Sequence, residues 1–225
     1  MNKLLSIFQN LILISSYVSK NNLNEKKLIL DTGLESGVIF DIGSNLGSYI
    51  EFVNRTLKTA LEFHSFEPLP ELCTLQQKKF SKLTVKVNNF GIDNKSGEFT
   101  FYRNSINSQS SFKYNIKNPV GRITKEEKFK VTTIDSYCEE NDIKYIDILK
   151  IDTEGTEYEV LQSAQNMMKN NMINLIKLEI TNEIGSFGPI FELLEDHNYE
   201  LLGFCNQKFI KNKIRFVDAY FRRIT

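Results

Sequence analysis

The chain has 225 residues, 41% of them hydrophobic and 12% aromatic, enough core material for one α/β domain or two very small ones, which excludes disorder and fibrous repeats. Its 28 basic and 28 acidic side chains cancel to a formal net charge of zero, so no overall field draws in a polyanion and a nucleic-acid partner is disfavoured. Cys73, Cys138 and Cys205 stand far apart, with no C-x-x-C pair and no clustered histidines to suggest zinc, so a reducing, cytoplasmic setting is their simplest home.

The first apolar stretch, Leu4 to Ile14, imitates a secretory leader, but Gln9 and Asn10 interrupt it and no small-x-small cleavage site follows. Leu4, Leu5, Phe8, Leu11, Ile12 and Val18 keep helical spacing instead, which predicts an amphipathic helix lying on the domain. A membrane span, which needs about 20 apolar residues, is not expected. Residues 1–36 are expected to form a helical cap, or a surface that pairs two subunits, and residues 37–225 to form the main domain.

Downstream, short apolar runs alternate with amphipathic stretches, the pattern of βαβ units feeding a mostly parallel sheet with helices on both faces. Seven strands are expected at 38–42, 63–67, 84–87, 146–152, 175–180, 200–204 and 214–221. Helices are expected at 47–57, 69–80, 134–141, 156–170 and 189–198. The last two strands leave no room for a helix between them and should pair antiparallel at a sheet edge. After the third strand, alternation at 97–103 and 129–133 predicts an extra hairpin. Between its arms, residues 104–128 are rich in Asn, Ser and Lys, and the length suits a lid or binding loop, or a disordered insertion.

The run Val38-Ile39-Phe40-Asp41-Ile42-Gly43-Ser44-Asn45-Leu46-Gly47 reads as a buried strand ending in an acid, then a glycine-bounded turn, then a helix start. Open α/β sheets bind ligands beyond the carboxyl ends of their strands, so Gly43, Ser44, Asn45 and Gly47 form a candidate cofactor turn. A dinucleotide fingerprint needs glycine where Asn45 stands, and the third glycine is missing. Asp41 instead suits a ligand that carries a cation, as the sulfonium and ammonium groups of S-adenosylmethionine do. Glu67 ends the second strand where a carboxylate can accept both ribose hydroxyls; alone, it would read as a solvated surface charge. The run Asn88-Asn89-Phe90-Gly91-Ile92 offers a small amide at Asn89 and, beside Gly91, an apolar contact for an adenine ring, although Asn and Gly also simply make turns.

A second buried run, Asp147 to Glu157, delivers further acids to the same edge. Asp152, with Glu179 on the following strand, is a candidate general base or ligand of an acceptor hydroxyl. Glu154 lies beside Asp152 as a candidate acceptor contact, while Glu157 reads more simply as a favourable charge at a helix N-terminus. Three acids at one edge have the donor chemistry of a Mg²⁺ or Ca²⁺ site, which their spacing permits without requiring. His64 alternates away from the edge and reads as structural, and His197 as solvent-facing at a helix end.

In their order, DIGSNLG at 41–47, FEP at 66–68, NNFGIDNKSGEFTFY at 88–102, SQSSF at 108–112, VTTID at 131–135, IDILKIDTEGTEYEVLQSA at 146–164 and IKLEI at 176–180 resemble the FkbM family of S-adenosylmethionine-dependent methyltransferases, over residues 37–204. KIDTEGTE followed by a helix is the specific part; the glycine turn would serve any class I methyltransferase. Ser44 and Asn45 stand where the family usually has Ala-Asn, and Gly91 where it usually has alanine. The resemblance implies a seven-stranded Rossmann-like fold, S-adenosylmethionine as cofactor and O-methylation of a sugar, glycan or natural-product hydroxyl. In that chemistry Asp152 would take the acceptor's proton, Glu179 would assist, and Ser110 and Ser111 in the long loop would hold the acceptor. The alternatives are a noncatalytic nucleotide-binding module and a methyltransferase of nucleic acid or protein. Against nucleic acid stands IDTEG, where an amino-methyltransferase would need an Asn/Asp-Pro-Pro-aromatic turn.

Overall fold

The computed structural model describes residues 24–106, 109–113, 121–181, 187–210 and 213–224. One sheet runs in the order β3 (Val85–Asn88), β2 (Ala60–Phe66), β1 (Ser36–Ile42), β7 (Ile146–Ile151), β8 (Ile173–Thr181), β10 (Lys213–Arg223), β9 (Tyr199–Ile210). The first five are parallel, and β10 enters antiparallel between β8 and β9. This is the expected seven-stranded α/β sheet, with β9 rather than β10 at the edge.

The central strands are buried on both faces because alternate residues serve two cores. Phe40, Ile42, Leu149, Ile151, Ile176 and Leu178 face α4 (Ile134–Glu140), α5 (Glu157–Gln162), α6 (Gln165–Lys169) and α7 (Phe187–Asp196). Ile39, Phe63, Ile148 and Leu175 face α1 (Glu25–Leu30) and α2 (Ser48–Leu57). A third, smaller cluster joins Leu72 of α3 (Pro70–Lys79) to Phe101, Phe112 and Phe129. Those aromatics belong to a separate sheet of β4 (Gly91–Ile92), β6 (Ile123–Thr132) and β5 (Gly97–Asn104) and to the loop beside it.

Two expectations need correction. The second hairpin arm begins at Ile123 rather than 129, pairing with β5 from Gly97↔Val131 to Asn104↔Ile123. Its outer half carries Lys and Glu because it projects beyond the core, so apolar alternation could not reveal it; Arg103 instead bridges the arms to Glu127 at 2.7 Å. The helix expected at 156–170 is two helices, α5 and α6. Asp135 accepts from the main-chain N–H of Asn166 and Met167, which caps a fresh helix start, and the Ser163 hydroxyl is drawn to Val160 O and the Ile134 N–H.

The helix expected over 4–18 lies outside the described residues. Within the expected cap, α1 is bound to the sheet through Glu25, whose carboxylate meets Lys177 at 2.8 Å and the Tyr220 hydroxyl at 2.6 Å. No helix among the described residues is long and apolar enough to cross a membrane.

Candidate active site

At the carboxyl ends of β1, β2 and β7 lies an open cleft with about 510 Å³ of empty space, part of it continuous with solvent. Gly43, Asn45, Glu67, Asp152, Thr153 and Glu154 line it with polar groups; Gly91, Ile92, Phe101 and Phe112 supply an apolar wall, and Ser110 also lines it.

Gly43 has φ +69°, and a Cβ there would fall on the Asp152 carbonyl oxygen, so only glycine lets the β1 and β7 ends approach this closely. Gly47, also at φ +69°, starts α2 with no room for a Cβ beside Phe80. Between them Asn45 takes the left-handed φ of +50° and directs its N–H to Glu67 Oε2 at 2.9 Å. Beneath this turn, wholly buried Gln76 donates to Ser44 Oγ at 2.9 Å and to Asn45 O at 2.6 Å, and accepts from Ser65 Oγ.

Glu67 is 5% exposed and accepts two main-chain N–H groups, Asn45 at Oε2 and Leu69 at Oε1, each at 2.9 Å. Burial pushes its carboxyl up to about 7, against the pull of the Leu69 and Asn45 donors and of the Lys150 charge.

Carboxylate oxygens of Asp152, Glu154 and Glu179 all lie within 4.8 Å of one another, a donor set suited to a hard cation. Burial, followed by the charges of Asp152, Glu154 and Glu157, pushes the Glu179 carboxyl up to about 9. Three carboxylates this close cannot all be ionised cheaply, and this crowding favours the protonated form of Glu179. Buried Glu157 faces inward and accepts from Thr153 N at 2.9 Å and Gly155 N at 3.0 Å, so it shapes the turn that presents Asp152 and Glu154. Glu154 takes φ +57° and receives the Gln109 amide at 2.7 Å.

Several expected site residues sit elsewhere. Asp41 is fully buried and absent from the cleft lining, its carboxylate 2.8 Å from the Lys150 ammonium. Ser44 is 4% exposed and engaged with Ser65 and Gln76. The Asn89 amide donates to the carbonyls of Glu67 and Pro68 and braces that turn. Gly91 lines the cleft, its missing Cβ leaving room for Phe112. Ser111 is buried and donates to Thr153 O at 2.9 Å, while Ser110, which accepts the Asn104 N–H at 2.9 Å, does reach the cleft. His64 is buried between Tyr137 Oη at 2.7 Å and Glu62 Oε1 at 3.0 Å, and half-buried His197, at a helix end, donates from Nδ1 to Leu193 O at 2.8 Å. All three cysteines are buried and unpaired, with burial pushing Cys73 up to about 11. Sequence reading missed Lys150, Gln76 and the Phe101–Phe112 wall; for Lys150 the signal was a cation inside the apolar run Ile148-Leu149-Lys150-Ile151.

Comparison with known proteins places this geometry in a family. The model of the methyltransferase FkbM domain matches residues 41–201. The hexuronic acid methyltransferase AglP of Haloferax volcanii is 25% identical over 156 residues, covering 68% of this chain and 60% of that protein. The chain therefore spans less than two thirds of the length of that relative. The structure of methyltransferase FkbM from Methylobacillus flagellatus KT superposes with a TM-score of 0.60 at 14% identity, over 91% of this chain and 50% of the other. An rRNA methylase from Streptococcus thermophilus shares the fold with a TM-score of 0.53 at 7% identity, over 89% and 94% of the two chains. With the family model spanning the glycine turn, Glu67 and the acidic edge together, the chain belongs to the FkbM methyltransferase family.

Proposed function

We propose that the protein is an S-adenosylmethionine-dependent O-methyltransferase acting on a hydroxyl of a sugar, glycan or natural-product acceptor. The observation that carries this reading is one cleft lined by Glu67 together with Asp152 and Glu154, with the Glu179 carboxylate within 4.8 Å of the last two. A nucleoside fits beside Glu67, since each Glu67 oxygen accepts one main-chain N–H and keeps a second acceptor direction for a ribose hydroxyl. The apolar wall of Ile92 and Phe112 suits a flat base. S-adenosylmethionine would supply a methyl group already activated on a sulfonium.

The protein's own task is positioning and proton removal. A sugar hydroxyl is a weak nucleophile, and Asp152 is the base that takes its proton as the new C–O bond forms. Glu179 keeps its proton and donates a hydrogen bond, which lets the trio hold an acceptor without three adjacent charges. Glu154, Gln109 and Ser110 offer further polar contacts to a polyol. The sugar acceptor is supported by the likeness to AglP, whose name is that of a hexuronic acid methyltransferase. Incubation with S-adenosylmethionine and a panel of sugars, nucleotide-sugars and oligosaccharides should yield one added methyl on a hydroxyl. Cofactor binding without transfer to any hydroxylated acceptor would favour a noncatalytic module, and methylation of RNA alone would overturn the acceptor class. Activity that disappears on exhaustive chelation and returns with Mg²⁺ would recast the acidic trio as metal ligands.

A further inference from the structure

Lys150 is a cation where the strand pattern asks for an apolar side chain. Its neighbours Leu149 and Ile151 are wholly buried, and Lys150 itself is 5% exposed. An ammonium in such a place is tolerated only if its protons find acceptors. Nζ lies 2.8 Å from Asp41 Oδ1, donates to Gly43 O at 2.9 Å and to Ile42 O at 3.3 Å, and stands 3.6 Å from Asp152 Oδ2. Burial works against the charged form, but the Asp41 and Asp152 carboxylates more than offset it and hold the amine above the usual lysine range. The group is thus a fixed donor and has no lone pair with which to act as a base.

We propose that Lys150 is a positioning residue that clamps the cofactor turn to the strand end carrying the base, so that one ammonium aligns both halves of the cleft. The inference rests on the reading of Gly43 and Asp152 given under the proposed function. Neutralising Asp41 would need a single contact; here two further donors are spent on main-chain carbonyls of the turn. The same Ile42 carbonyl also accepts the Asp152 N–H at 3.1 Å, and Gly43 is pressed against Asp152 O. Lys150 therefore ties together two backbone segments already in contact, and a rotation of either would break its geometry. Of the two carboxylates that face the ammonium, Asp152 is the exposed one, its side chain 38% exposed against 1% for Asp41.

The test separates clamping from charge neutralisation. Lys150→Met alone would strand the buried Asp41 charge and unfold the chain for reasons unrelated to the site, so it is made in an Asp41→Asn background and compared with Asp41→Asn alone. The main-chain amides of Gly43 and Ser44, which both donate to Phe66 O, and of Asp152, which donates to Ile42 O, report the clamp by hydrogen exchange. The expected result is exchange at all three faster by on the order of tenfold in the double variant than in Asp41→Asn, with β8 and β10 unchanged. S-adenosylmethionine should bind the double variant on the order of tenfold more weakly than it binds Asp41→Asn. Equal exchange in the two variants would overturn the proposal and leave Lys150 as a counter-charge. In the wild-type chain, whatever the variants do, the Nζ protons should exchange slowly enough to give a resolved ¹H–¹⁵N correlation; a freely averaging ammonium would also overturn it. If the wild type bound no S-adenosylmethionine, the proposed function would fail, while the exchange measurements would still decide the role of Lys150.

Discussion

At Glu67 two effects oppose each other: burial favours the neutral acid, and the N–H groups of Asn45 and Leu69 favour the anion. Burial wins in the free protein, leaving the carboxyl at about 7, yet the ionised form is the better acceptor for a diol. Cofactor affinity should therefore rise as pH climbs through about 7. Glu67→Gln replaces one acceptor by an amide that points a donor at another donor; calorimetry should show binding weaker by about 2 kcal/mol and no longer rising with pH. Unchanged affinity would remove Glu67 from the cofactor site. Asp152→Asn keeps shape and hydrogen bonding but cannot take a proton, so turnover should fall by roughly 10²–10⁴ while cofactor still binds. Near-normal turnover would shift the base to another residue of the trio. That Glu67 and Asp152 would lie on one cleft was legible in the sequence, because each directly follows a buried strand. The burial of Asp41 was not legible, since strand-end position does not reveal that a lysine of the neighbouring strand lies 2.8 Å from it.

Among the elements, the loop beside the β5–β6 hairpin divides its labour between two adjacent serines, a split that sequence cannot show because alternation ends where the bridge between Tyr102 and Ser111 begins. Ser111 ties this loop to the β7 end through Thr153 O, and also accepts the Lys113 N–H at 3.1 Å. Ser111→Ala should lower stability by about 1 kcal/mol in denaturant unfolding. Ser110→Ala should leave stability nearly unchanged and raise the acceptor KM, with cofactor affinity intact. A rise in cofactor KM with Ser110→Ala, and none in acceptor KM, would assign this loop to the cofactor end. The central strands of the main sheet were readable, since two-sided burial writes continuous apolar runs, but β9 runs to Ile210 where the sequence reading ends the strand at 204 and takes 205–213 as a polar turn, because Asn206, Gln207 and Lys208 break the apolar pattern. The outer half of β6 was not readable either, because its stabilising partners are cross-strand charges, and the break between α5 and α6 was hidden in a cap supplied by Asp135 from another helix.

For the molecule as a whole, the acidic edge couples folding to pH. Glu67 and Glu179 are raised from the ordinary 4.5 to about 7 and about 9, so the fold prefers them protonated. Their contribution is fully present below 4.5 and is lost as pH rises through about 7 and then about 9. The thermal midpoint should decline over that window, and Glu179→Gln, which cannot ionise, should flatten the decline above neutrality; parallel curves for variant and wild type would refute the assignment. The sheet order places one further demand on the molecule. Among the described strands β10 comes last, yet it lies inside the sheet, and β9 has no other strand beside it. While the ribosome has not yet released Lys213–Arg223, β8 presents an open edge and β9 waits unpaired. The cleft walls from β1, β2 and β7 can assemble earlier in translation, but the sheet that supports Glu179 closes only when β10 slides between its neighbours, opposite Glu179 at Asp218.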